Sequence, residues 1–131
     1  MSASIYLAAS SADDTVADVL QVYLEHAGIA CVRRADVQVL MDYAEDLRMT
    51  MKDCTAIIVL DSFSFRDVPD NWELHFAQVL QKPLIVVSLD TPLNEGHSTD
   101  IVKLVSFTTP QERDWHRLLN IILNLVYVFA H

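Results

Sequence analysis

Trp72-Glu73-Leu74-His75-Phe76-Ala77, followed five residues later by Lys82-Pro83-Leu84-Ile85-Val86-Val87, is the stretch on which the fold reading turns. The apolar run 84–87 reads as a buried strand, and the segment before it reads as a helix. Upstream, Ala56-Ile57-Ile58-Val59-Leu60 is continuous and largely β-branched, which marks a central strand buried on both faces. Glu73 therefore stands near the start of a helix that follows one buried strand and feeds another. In an open parallel sheet, ligands bind in the crevice beyond the carboxyl ends of the strands. A single carboxylate at that place can orient a ribose or stabilise a developing positive charge.

The same alternation extends to both ends of the chain. Residues 5–9 form a short apolar strand, and the polar run Ser10-Ser11-Ala12-Asp13-Asp14 suits a helix start. Val16, Val19, Leu20, Tyr23, Leu24 and Ala27 then make one helical stripe, closed by Gly28 where left-handed backbone is needed. Residues 29–32 are the second strand, 33–42 a loop and 43–53 a second helix. After the third strand come a loop over 61–70 and a helix over 71–81. The fourth strand spans 83–89, a long polar loop 91–100, the fifth strand 101–107, and a last helix 111–131. Five strand–helix alternations predict an α/β fold of the flavodoxin-like type: three layers, with a five-stranded parallel sheet and helices on both faces. At 131 residues the chain is expected to form a single domain, 1–131.

Composition narrows the partners. Hydrophobic residues make up 52% of the chain and the net charge is −9; mean hydropathy is +0.25. Arg33-Arg34 is the only adjacent basic pair, so neither a nucleic-acid backbone nor an anionic membrane surface is an expected partner. No basic, then apolar, leader opens the chain, which points to the cytoplasm. The apolar stretch 118–130 would span about 20 Å as a helix, short of a bilayer core of about 30 Å, and reads as a packed terminal helix. Cys31 and Cys54 adjoin strands and read as buried, reduced thiols. The five histidines lack metal-ligand spacing, so no metal is expected, and with only two glycines there is no dinucleotide or phosphate loop and no resident cofactor.

Several side chains have two readings. Glu73 either faces a ligand or, in Asp70-Asn71-Trp72-Glu73, reaches back to cap its own helix. Asp13 and Asp14 suit a helix start as well as a ligand loop, and Arg33 and Arg34 suit solvent as well as a phosphate. Asp61 closes the third strand, where a phosphoacceptor aspartate would stand, and Ser88 lies near the usual switch hydroxyl. A receiver also needs an acidic pair at the end of the first strand, and that point is Ala9-Ser10.

Residues 5–83 resemble the TIR (Toll/interleukin-1 receptor) domain in its bacterial form. The first box resembles Leu7 to Asp13. The second resembles Arg34-Ala35-Asp36-Val37, with Tyr43 at a usually aromatic position and Leu47 opening the next stripe. The third runs from Leu60-Asp61-Ser62-Phe63 through Glu73-Leu74-His75-Phe76-Ala77 to Lys82-Pro83 without a gap. Ala8 and Ala9 stand where the family often has a serine and an aromatic, Leu40 where it has a loop glycine, and Pro69 where it has a tryptophan; Trp72 is a substitute ring beside Glu73.

The resemblance implies cleavage of NAD⁺, as substrate, at the nicotinamide–ribose bond (an NADase, a hydrolase) in prokaryotic defence or signalling of the innate-immunity type. It implies Glu73 as the catalytic carboxylate, with charge stabilisation akin to glycoside cleavage. Ser10, Ser11, Asp13, Arg34 and Trp72 would contact the nucleotide. The family commonly acts through self-association, so an oligomer, or assembly with other TIR or adaptor proteins, is the implied partnership. The alternative is a non-catalytic TIR interaction module, to which the altered first box, Leu40 and the apolar face of 118–130 point.

Overall fold

The structure, a computed structural model, describes residues 3–109, 111 and 113–129. The strands are β1 (Ser4–Ala8), β2 (Ala30–Val32), β3 (Ala56–Asp61), β4 (Leu84–Ser88) and β5 (Val102–Ser106). The helices are α1 (Asp14–His26), α2 (Tyr43–Asp53), α3 (Phe63–Arg66), α4 (Trp72–Val79) and α5 (Trp115–Phe129). All strand pairs are parallel, in the order β2-β1-β3-β4-β5. This is the flavodoxin-like arrangement, with its switch point between β1 and β3, where chain connections leave in opposite directions and open a crevice.

Strand alternation divides the core into two. Ile5 and Leu7 of β1, Ile58 and Leu60 of β3, and Ile85 and Val87 of β4 pack with α1 and α5 on one face. Tyr6 and Ala8 of β1, with Ile57 and Val59 of β3, pack with α2 and α4 on the other. The three expected layers are present. Tyr6 therefore points toward the α4 side, a consequence of register that fixes the site described below.

Local chemistry sets the element ends. Gly28 takes φ +80°, and the Gly28 and Ile29 amides donate to the Glu25 and Leu24 carbonyls, closing α1 as expected. The helix read over 71–81 is shorter, because Asn71 caps its start and Gln81 takes φ +54° after its end. The helix read from 111 begins at Trp115, because the Asp114 carboxylate accepts the Arg117 amide at 3.0 Å; residues 112, 130 and 131 of that reading lie outside the described residues. The loop read over 61–70 holds the short helix α3, capped by Ser62 on the Phe65 amide at 3.2 Å.

The long polar loop 91–100 seals the free edge of the sheet. Thr99 Oγ1 and Ser98 Oγ each accept an edge amide at 3.0 Å, from Val102 and Leu104, and Glu95 Oε2 accepts that of Ser106 at 3.1 Å. Trp115 stacks on Tyr23 at 5.6 Å and meets Phe107, the residue after β5, edge-on at 5.1 Å, tying α5 to α1 and to the end of β5. Cys54 is buried and Cys31 half-buried, both free thiols. Among the described residues, no helix is long and apolar enough to cross a membrane.

Candidate functional site

Glu73 is only 3% exposed although it carries a carboxylate. Burying an ionised group is costly unless it is paired and hydrogen-bonded. Its partners are side chains rather than helix amides. The Tyr6 hydroxyl donates to Oε2 at 2.7 Å. Arg34 donates to Oε1 from Nε at 3.1 Å and also from Nη2. The reading of Glu73 as a helix cap is thus corrected: the Asn71 side chain accepts the Leu74 amide at 3.0 Å and does that work. Asp70, the other half of the expected arrangement, takes left-handed backbone, φ +53°.

Three elements deliver this trio. Tyr6 is a fully buried strand residue of β1, whose phenol must find a partner in the core. Glu73 enters from the first turn of α4. Arg34 comes from the 3₁₀ turn Arg34–Asp36 after β2, and its Nη2 also reaches the Ala9 carbonyl at 2.9 Å. Electrostatics follow from the packing. Burial first, then the Glu73 charge and the hydrogen bond to it, push the Tyr6 phenol far above its ordinary pKa. Burial opposes the Arg34 charge, but the bond to Glu73 and its carboxylate outweigh this and raise the guanidinium pKa. Tyr43 is raised by burial and then by the Glu73 charge.

Beside the trio opens a cleft of about 520 Å³, at the carboxyl ends of β1 and β2. Glu73, Arg34, Ser11, Asp14, Asp18 and Asp36 are among its lining residues. Arg33, also at the cleft, is engaged by Asp14 at 3.2 Å, by Asp18, and by Gln21 at 3.1 Å. The cleft is consequently rich in hydrogen-bonding oxygen, and both of its arginines are already paired with carboxylates.

The residues singled out in the sequence separate here. Glu73, Arg34 and Ser11 meet at the cleft, and Trp72 lines a smaller hollow that shares Arg34 and Glu73. Ser10 is buried and caps the turn after β1 through the Ala12 amide. Asp13 accepts the Ser62 hydroxyl at 2.6 Å. Asp61 is bound to Arg66 at 2.6 Å, and the Ser88 hydroxyl is bound to the Thr91 carbonyl; neither lines the cleft. Sequence reasoning missed Tyr6. Its signal was one phenol in an otherwise apolar strand, a polar tip that burial obliges to find an acceptor. It also missed Asp14, Asp18 and Gln21 as a set, although their spacing puts them on one face of α1.

No family model matches this chain, and no curated protein matches it in sequence. Solved structures do share the fold. A 2-deoxyribosyltransferase from the psychrotolerant bacterium Bacillus psychrosaccharolyticus is 19% identical, with a TM-score of 0.61 over 90% of this chain and 91% of that one. The Clostridium botulinum CMP N-glycosidase BcmB is 16% identical, with a TM-score of 0.60 over 90% of this chain and 98% of that one. At such identities the likeness establishes a common fold.

Proposed function

We propose that this chain cleaves the N-glycosidic bond of a nucleoside or nucleotide, with Glu73 as the carboxylate beside the anomeric carbon. The observation that carries this is a buried, side-chain-held carboxylate beside a polar cleft at the sheet's switch point. A carboxylate that only stabilised its own helix would turn to backbone amides. Instead side chains hold it at the cleft: the buried Tyr6 anchors Oε2, and Arg34 covers Oε1 at rest.

In this reading, the bond between the sugar C1′ and the base nitrogen breaks and its electron pair leaves with the base. Positive charge grows at C1′ and the ring oxygen, and the Glu73 carboxylate stabilises it. Water then adds to C1′; the proton it releases ends on the departed base when that base leaves as an anion, and in solvent when the base is nicotinamide, which leaves neutral from NAD⁺. Ser11 and the carboxylates of Asp14, Asp18 and Asp36 are placed for sugar hydroxyls. Two fold neighbours named for nucleoside chemistry, and the resemblance to bacterial TIR domains, support the same bond class. The TIR resemblance narrows the substrate to NAD⁺, cut at the nicotinamide–ribose bond, in a cytoplasmic protein of defence or signalling that works by self-association. Both cleft arginines are already paired with carboxylates, which tells against a phosphate-bearing substrate such as NAD⁺ and for a nucleoside; the panel decides between the two.

The test is a panel. Purified protein is incubated with NAD⁺, nucleoside monophosphates, ribonucleosides and deoxyribonucleosides, and free base is followed by chromatography. Release of a base from one class supports the reading and names the substrate; no release from any class at high protein concentration, with or without a crowding agent, removes it.

The second reading, a non-catalytic assembly module, is favoured by one surface. Leu40 is 72% and Met41 95% exposed, side by side with exposed Val39 at the tip of the loop after β2. Light scattering over a concentration series tests it, and a strict monomer that captures no TIR-bearing partner would count against it.

A further inference from the structure

The Arg34–Glu73 pair stands between two hollows. On one side is the polar cleft. On the other is a hollow of about 200 Å³, lined by Tyr43, Leu47, Val68, Asp70, Asn71 and Trp72 as well as by the pair itself. The second hollow is smaller than pockets for drug-sized ligands, about 300–1,000 Å³, and its aromatic, partly apolar walls suit one flat heterocycle. Trp72 is stacked on Phe76 at 5.8 Å on one face, and the residue remains 43% exposed. The cleft, with Ser11, Asp14, Asp18, Gln21 and Asp36, suits a hydroxylated ring. An N-glycoside has these two halves, and the bond between them must come to Glu73.

The two partners of Glu73 differ in freedom. Tyr6 is locked inside β1 and wholly buried. Arg34 belongs to a three-residue turn, its side chain is 47% exposed, and its other anchor is the Ala9 carbonyl. Both hydrogen bonds to Oε1 come from Arg34. We propose that Arg34 is a movable partition. It rests across the site, occupying Oε1 and dividing base hollow from sugar cleft. An entering nucleoside displaces it, so that the base lies by Trp72 and Tyr43, the sugar lies in the cleft, and Oε1 faces the glycosidic bond. This rests on the reading of Glu73 as the carboxylate that acts on an N-glycosidic bond, and it adds Arg34 as a positioning residue and the chamber for the base.

Binding without turnover isolates the proposal. The probes are formycin and pseudouridine, nucleosides joined through carbon that this chemistry does not cut, and the free bases adenine, uracil and nicotinamide, each titrated by calorimetry. Displacing a resting contact reduces apparent affinity by the fraction of molecules not yet open. Arg34→Ala is therefore expected to tighten a carbon-linked nucleoside about tenfold, and to leave free-base affinity within about twofold. Trp72→Ala is expected to weaken both ligand types by about tenfold or more, the order of one lost stacking contact. Thermal melting checks folding; if Arg34→Ala does not fold, Arg34→Lys, which keeps the charge without the two-pronged grip, is expected to tighten binding by a smaller factor. The proposal is overturned if either folded Arg34 variant binds the nucleosides no better than wild type, if Trp72→Ala binds bases as wild type does, or if no probe binds at all. If the expected binding pattern holds while no N-nucleoside is cut, the catalytic reading fails and the two-chamber site stands.

Discussion

Two hollows of nearly equal volume, about 520 Å³ beside Glu73 and about 560 Å³ between β5 and α5, do different things with their polar groups. At the β5 edge, Ser98 and Glu95 accept main-chain amides, and Glu95 is also paired with Arg117. The rest of that lining is largely apolar, with Leu104, Val105, Ile121 and Leu125. Ser98 and Glu95 stand in for the strand that the sheet edge lacks. At the switch point, Tyr6 and Arg34 bind a buried carboxylate, although Asp36 also accepts the Arg33 amide and Arg34 also donates to the Ala9 carbonyl. A hollow's size therefore says little; a buried carboxylate held by side chains is what separates the candidate reaction site from the structural groove.

Filling each hollow breaks the comparison most sharply. Ser11→Trp is expected to cut turnover about a hundredfold, by displacing the sugar from its working position, whereas Asn124→Trp in the β5–α5 groove is expected to leave turnover within about twofold. Initial rates on the substrate found in the panel decide; equal losses from both would erase the distinction.

A smaller effect is expected at the phenol. Tyr6→Phe leaves Glu73 Oε2 without its donor, and a buried acceptor stripped of its partner costs about 1–3 kcal/mol. Urea denaturation measures that loss. Turnover should fall as well, since the carboxylate keeps only the movable Arg34. Retained turnover would mean that Tyr6 holds the fold and leaves the chemistry alone.

At the other hollow, Ser98→Ala frees the Leu104 amide on an exposed edge. A loss of about 0.5–1.5 kcal/mol, the net value of one hydrogen bond, should come with greater concentration-dependent association, and with unchanged base release. Unaltered stability would show that loop 91–100 does not seal the edge.

The alkaline limb gives a finer contrast. Tyr6 has a folded pKa above its unfolded value of about 10, so its contribution is whole below pH 10 and is lost as pH rises beyond that value. The wild-type protein should lose up to about 1.4 kcal/mol per pH unit from this group above pH 10, and Tyr6→Phe should lack that component. Burial, ahead of the opposing Arg33 charge, pushes the Cys31 thiol up to about 12; alkylation of native protein at pH 8 should be slow compared with a free thiol.

These contrasts show what was legible in the sequence. Strand alternation and the β-branched run at 56–60 disclosed the sheet, because a strand buried on both faces has no choice but to be apolar. Gly28 disclosed the end of α1, since its φ of +80° favours glycine. The edge-sealing role of 91–100 was not legible, because it depends on which amides β5 leaves unpaired, and that follows from strand order. Within the site, Glu73 was visible but its partners were not. Arg33 and Arg34 are adjacent and chemically alike, yet one serves α1 and the other Glu73, a choice made by the turn after β2. The cap failed as an expectation because Asn71 lay one residue closer to the helix than Asp70. Tyr6 needed register: a shift of one residue along β1 would have turned its phenol to the α1 face.

The central claim is that Glu73 acts on substrate and is not merely a buried strut. Glu73→Gln keeps the shape and a hydrogen-bonding oxygen while removing the charge. The most direct measurement is base release by this variant and by wild type, on the same substrate, with melting temperature recorded beside it. A loss of about a thousandfold, the order for one removed electrostatic stabiliser of a transition state, in a protein that still melts cooperatively, is the predicted result. Release at the wild-type rate from the folded variant would contradict it.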